Sequence, residues 1–272
     1  MREYREYFTI NYINGVYNGA GYILNGNGCR HGQGTLTWTN GSNGTYTGDW
    51  YEDKRSGKGK SRLLDGSIYE GDWSQDSQHG QGLSTFTNGD IYEGQHDSGY
   101  ISGHGVYKYA DGAVYQGDFL KNRRHGKGVM KYANGDTYDG DWKEGDHEGY
   151  GVYVTSTFSY EGQYKAGKME GLGRYKWQNG DYFAGEFAQG NFNGTGVKRE
   201  NGTLYAVTYL NDVIQSAISI TNPVVSAKPA APATVIAARP AAQSSSLVEA
   251  VNTANNVYKA VQIAQSVGCT IQ

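Results

Sequence analysis

A tyrosine followed two residues later by glycine returns every 23 residues along this chain. Tyr46, Tyr69, Tyr92, Tyr115 and Tyr138 keep that interval, Tyr160 follows after 22 and Phe183 after 23 more. A period of this length marks a repeat architecture, in which each unit is one supersecondary element that buries its apolar face only against its neighbours. Each unit reads Tyr-x-Gly-Asp-Trp, a variable stretch, Gly-x-Gly, a short strand-like run, then Asn-Gly or Asp-Gly. Examples are YEGDWSQDSQHGQGLSTFTNGDI from Tyr69 and YQGDFLKNRRHGKGVMKYANGDT from Tyr115. A looser unit runs from Tyr17 through His31-Gly32-Gln33-Gly34 to Asn40-Gly41. Before it, Phe8, Ile10 and Tyr12 alternate ahead of Asn14-Gly15 as a half-unit.

The local chemistry specifies hairpins. Asn-Gly and Asp-Gly favour type I′ turns, whose two central residues need positive φ. Alternation places Tyr115, Gly117 and Phe119 on one face of a strand, and Gln116 and Asp118 on the other. The glycine after each tyrosine leaves room for a ring from a neighbouring strand, and Gly-x-Gly supplies backbone freedom where the chain re-enters the sheet. The predicted fold is all-β: an elongated, twisted, single-layer antiparallel sheet of tandem hairpins, followed by a linker and a helix. Two strands per unit at ~4.8 Å spacing give about eight repeats a length of roughly 75–80 Å. The expected spans are a cap at 1–16, the array at 17–210, an Ala/Pro/Ser-rich linker at 211–246 and an amphipathic helix at 247–268. Ser246 and Glu249 form a capping box for that helix and Gly268 closes it. Its stripe of Leu247, Val251, Ala254, Tyr258 and Val261 is expected to pack on the array, pair with copies of itself as an oligomerisation helix, or engage a partner.

Composition narrows the function classes. Forty-one glycines and 24 tyrosines against seven phenylalanines suit short aromatic strands rather than a large aliphatic core, and a net charge of −3 gives no field for nucleic acid. Cys29 and Cys269 form neither a disulfide framework nor a zinc-ligand spacing. The start carries no secretory apolar run, and no stretch approaches the ~18 apolar residues of a membrane span, so a cytoplasmic protein is expected.

The motifs that suggest chemistry resolve into repeat punctuation. Gly126-Lys127-Gly128 is followed by a strand rather than the helix a phosphate loop needs. His31, His79 and His125 recur at equivalent places about 10 Å apart, too far to share a metal ion. Asp136, Asp139 and Asp141 sit at turns and opposite the aromatics, without a desolvating pocket. No enzyme, cofactor or metal is expected. Two surfaces remain. Tyr92, Tyr115, Phe119, Tyr132, Tyr138, Trp142 and Tyr160 offer an aromatic groove for a protein segment. Lys54, Arg55, Lys121, Arg123, Arg124, Lys165 and Lys168 offer a discontinuous basic rim for anionic lipid headgroups.

The tile resembles the MORN repeat (membrane occupation and recognition nexus), whose pattern is Tyr-x-Gly-x-Trp, Gly-x-Gly and Asn-Gly-Asp, over about residues 17–205. The departures are Gln95-His96 in place of the acidic-aromatic pair, a shortened join near Thr155-Ser156-Thr157, and the polar end at Lys198-Arg199-Glu200. They are expected to mark a bend, an irregular strand and a terminal cap. The resemblance implies a non-catalytic scaffold that binds a protein and oligomerises or docks through its tail. Its alternative is a peripheral phospholipid-binding module. A station at a membrane or cytoskeletal structure goes with either.

Overall fold

The structure, a computed structural model, describes residues 3–24, 27–39, 44–220, 259–263 and 266. They form a single open antiparallel sheet of 19 strands built from consecutive hairpins. Two units divide it, Met1–Asn134 with Trp142–Gly145, and Gly135–Asp141 with Asp146–Gln272. The first holds β1 (Glu3–Tyr12), β2 (Gly15–Leu24), β3 (Asn27–Trp38), β4 (Thr45–Tyr51), β5 (Lys54–Arg62), β6 (Ile68–Ser74), β7 (Ser77–Thr85), β8 (Ile91–Asp97), β9 (Tyr100–Lys108), β10 (Val114–Leu120) and β11 (Arg123–Lys131). β12 (Thr137–Lys143) is divided between them. The second unit holds β13 (Asp146–Val154), β14 (Phe158–Lys165), β15 (Lys168–Trp177), β16 (Tyr182–Ala188), β17 (Asn191–Glu200), β18 (Thr203–Leu210) and β19 (Val213–Ser219).

One hairpin shows why the sequence repeats as it does. In β10 and β11, Tyr115 lies opposite Met130 and Gly117 opposite Gly128. The Tyr115 ring lies over both glycines: a β-carbon at Gly128 would stand 2.5 Å from the ring's Cζ, and one at Gly117 would stand 2.7 Å from its hydroxyl. The glycine therefore receives the ring of its own strand, two residues back, rather than a ring from a neighbouring strand as expected. The tyrosine hydroxyl then donates to the carbonyl three residues on, at 2.9 Å from Asp118 O. Tyr46, Tyr69, Tyr92, Tyr138 and Tyr160 repeat the bond. Burial pushes the phenols of Tyr46, Tyr69, Tyr115 and Tyr160 well above the ordinary tyrosine range, so these hydroxyls remain donors.

The next residue of the motif serves the same turn of backbone. Between Gly117 and Asp118 the register shifts by a bulge, Gly126 takes φ 61°, and Asp118 Oδ2 accepts the N–H of Lys127 at 3.2 Å. Asp49, Asp72 and Asp141 do likewise, while the amide oxygens of Gln95 and Gln163 substitute at 2.8 and 3.1 Å. The ladder thus passes Gln95-His96 with the bulge of its neighbours, between Gly94 and His96.

The turns differ from the expectation. Asn-Gly and Asp-Gly do not form type I′ turns in most repeats: Leu63 O accepts from Gly66 N–H, Gly66 alone takes φ 92°, and Asp65 Oδ1 accepts from Ser67 N–H at 2.8 Å. This is a type I turn closed by a glycine bulge, in which Asn or Asp is selected as an acceptor rather than for positive φ. Type I′ pairs occur in the variable stretch, at Glu52-Asp53, Gln75-Asp76 and Lys121-Asn122, and, as expected for Asn-Gly, at Asn201-Gly202.

Tyr46, Tyr69, Tyr92, Tyr115 and Tyr160 each meet the ring four residues on and its counterpart in the next repeat nearly at right angles. Tyr46 stands 5.0 Å from Trp50 and 5.1 Å from Trp73, at 86° and 83°, a geometry worth about 0.5–1.5 kcal/mol per pair beyond area burial. Arginines close the layer: Arg30 lies 4.2 Å over Trp50, Arg55 4.2 Å over Trp73 and Arg124 4.5 Å over Trp142.

The array extends further than its expected end at 210. β19 pairs with β18 inside the stretch read as linker, because Asn211-Asp212 forms a type I′ turn before the run Val213-Ile214. Of the expected tail helix, residues 259–263 and 266 are helical. The linker residues 221–246 and Leu247, Val251, Ala254 and Tyr258 lie outside the described residues. Ala260, Val261 and Ile263 are buried, and Ala260 joins Tyr182, Ala184, Val197 and Ala206 in a core on the face opposite the Phe183 ring. Lys259 Nζ reaches Glu186 Oε1 at 3.0 Å. Ala184 and Ala206 stand where earlier repeats carry Thr47, Glu70, Glu93, Gln116, Asp139 and Glu161, so small side chains clear the helix's seat. Replacing Ala184 by Glu should expel the segment. Amide exchange at Ala260–Ile263 is expected to accelerate while β10–β11 stays protected.

Candidate binding groove on the aromatic face

The residues expected to line a protein-binding groove divide by burial. Tyr92, Tyr115, Tyr138 and Tyr160 are wholly buried, with Phe119 and Trp142 nearly so, while Tyr132 is half-buried. Six of the seven are therefore the packing of the array itself, inaccessible because each ring is covered by the next repeat. The surface above them is made by a second column, which spacing alone did not single out. It carries Leu36, Ser61, Ser84, Tyr107 and Met130 in the first unit, each two residues after the second glycine of Gly-x-Gly.

That column is uneven, and its thin part makes a concavity. Around Ser84 a cavity of about 500 Å³ opens, lined by Tyr69, Trp73, Phe86, His96, Ile101 and Tyr107 with Arg55, Gln78 and Asn122 at its polar side. A smaller one of about 280 Å³ adjoins Trp38, Ser61 and Leu64, and shares Arg55 and Leu63 with the first. Phe86 and Tyr107 stack at 5.9 Å and 23° as one wall. His96 occupies the place of Trp50 and Trp73, set edge-on to Tyr69 at 4.8 Å and Tyr92 at 5.1 Å. Its Nε2 lies 3.2 Å from Ser84 Oγ. Both residues are buried. Aligning the tiles column by column exposes this signal, because Ser61, Ser84 and His96 are small where their counterparts are bulky.

The basic rim is mostly engaged. Arg55 and Arg124 are stacked on tryptophans, and Arg55 also donates to Asp76 Oδ1 and to the Asp76 carbonyl. Lys54 bonds Gln75, Arg123 pairs with Glu144 at 3.5 Å, and Lys168 bonds Gln189. Lys121 and Lys165 are exposed. Among the described residues no helix is long and apolar enough to cross a membrane.

An open sheet of hairpins in which an aromatic ring, from Tyr17 to Phe183, is laid over paired glycines defines a class, the hairpin-repeat arrays. The MORN repeat model matches residues 26–43, 46–68, 69–91, 92–114, 115–137, 138–157, 160–182 and 183–203, and the chain belongs to that family. No curated protein matches the chain. Among solved structures it is similar to the SAS-4 (dCPAP) TCP domain in complex with a proline rich motif of Ana2 (dSTIL) of Drosophila melanogaster. That likeness has 11% identity over 56% of this chain and 77% of the other, at a TM-score of 0.31, and carries no argument about what this chain binds.

Burial pushes the His96 imidazole below the ordinary histidine value of ~6.5, with a backbone carbonyl at Gly94 opposing it. In the unfolded chain this residue takes up a proton near ~6.5, while in the fold it does so only at lower pH. Stability is therefore held above ~6.5 and falls as pH drops below it. Thermal melts between pH 7.5 and 5.5 should show that fall, and it should shrink in His96→Phe.

Proposed function

We propose that this protein is a non-catalytic scaffold whose first unit binds a protein segment on the aromatic face, along the concavity between Trp38 and Tyr107. The observation that carries the reading is the paired thinning at Ser84 and His96, beside which a concavity opens with Phe86 and Tyr107 partly exposed in its wall. Partly buried aromatic surface rimmed by polar groups favours protein contacts. The repeated carboxylates support the absence of catalysis, since Asp49, Asp72, Asp118 and Asp141 are engaged with backbone N–H groups at the bulges. The tail acts as a docking element, and its seat on β16–β18 gives it a partner within its own chain.

Capture from the native source with wild-type protein and with Ser84→Tyr tests the reading, with Leu83→Lys on the opposite face as control. A specific partner should be retained by the wild type and by the control and be depleted at least about fivefold by the filled groove. Equal retention by Ser84→Tyr, or loss only in the control, would place binding elsewhere. Flotation with anionic vesicles at low salt separates a lipid surface from a protein one.

A further inference from the structure

We infer that the cavity at Ser84 and His96 is an anchor pocket for one aromatic side chain of the bound segment. The inference rests on reading the aromatic face as the binding face, and it names what that face selects.

The repeat supplies its own measure of what fits. Elsewhere in the first unit, the His96 place holds Trp50, Trp73, Phe119 or Trp142, and the Ser84 place holds Leu36, Ser61, Tyr107 or Met130, with Ser61 facing the large Trp73. Where both are large, as at Met130 and Trp142, which stand in the same register as Ser84 and His96, the two side chains are buried and the layer closes. At Ser84 and His96 both shrink together, and the remaining space of about 500 Å³ lies within the ~300–1,000 Å³ of small-ligand sites. The missing volume is that of an aromatic ring, surrounded by the rings that such a side chain would meet in any other tile.

The walls suit the same occupant. The stacked and partly exposed Phe86–Tyr107 pair presents ring surface, with the buried Tyr69 and Trp73 also lining the space, so an inserted ring finds aromatic contacts of the kind repeated along the layer. The Ser84 hydroxyl and His96 imidazole offer polar contact at the base, which suits an indole N–H or phenol O–H. Arg55, stacked over Trp73 and paired with Asp76, closes the polar side of the rim.

The test needs no partner and uses the full chain. The indole and imidazole resonances are followed by NMR during titration with N-acetyltryptophanamide and with N-acetylleucinamide. The tryptophan amide should shift Trp73 and His96 saturably, and the leucine amide should bind at least about tenfold more weakly. In Ser84→Tyr and His96→Trp, which restore side chains the other repeats carry, the response to the tryptophan amide should be lost. Ser84→Met serves if either fails to fold. No saturable shift at these residues, equal affinity for the leucine amide, or persistence in the filled variants would overturn the inference. Loss of the pocket response with partner capture intact would sink the anchor alone. Failed capture with an intact response would sink the scaffold reading instead.

Discussion

The structure depends on one steric condition: a tyrosine ring must lie across two glycines that face each other on paired strands. Hydrogen at both α-carbons lets the ring rest on the backbone, and its hydroxyl then reaches the carbonyl at the bulge. The ring covers backbone that would otherwise be open and presents its edges to the large rings on either side. A single-layer sheet has no second layer to supply a core, so this arrangement makes one out of the layer itself. The Gly-Asp step, the positive-φ glycine of Gly-x-Gly and the arginine over the next tryptophan all follow from keeping that ring in place. At the end of the array the condition lapses, for Val207 stands in the glycine's place and Tyr205 is no longer fully buried.

Much of this was legible in the sequence because it is periodic. The interval between Tyr46 and Tyr69 fixed the tile, and alternation around Tyr115 fixed its two faces. What periodicity could not show was which ring lies over which glycine, since a strand neighbour and a residue two places back give the same spacing. The turns misled for a related reason: Asn-Gly suits both a type I′ turn and a type I turn with a glycine bulge, and only Asp65 accepting from Ser67 distinguishes them. β19 escaped notice because its residues carry no tyrosine-glycine pair.

The candidate site was the less legible part. Prominent aromatics such as Tyr92 and Tyr138 are conspicuous through being repeated, and what is repeated here is packing. Specificity lies in the departures. Ser84 and His96 open the face of the first unit, while Ala184 and Ala206 clear a seat for Ala260 on the opposite face of the second. In both cases a residue smaller than its counterparts makes the difference, and its meaning appears only when the tiles are stacked in register.

The central account is that Gly128 is glycine because of Tyr115, and a double-mutant cycle tests it most directly. The backbone of Gly128 lies outside the left-handed region, and the three atoms nearest to a β-carbon there all belong to the Tyr115 ring. Urea unfolding should show Gly128→Ala costing about 1–3 kcal/mol in the wild type. In Tyr115→Ala the same change should be neutral or stabilising by up to about 1 kcal/mol. An equal cost in both backgrounds would show that the glycine answers to something other than the ring.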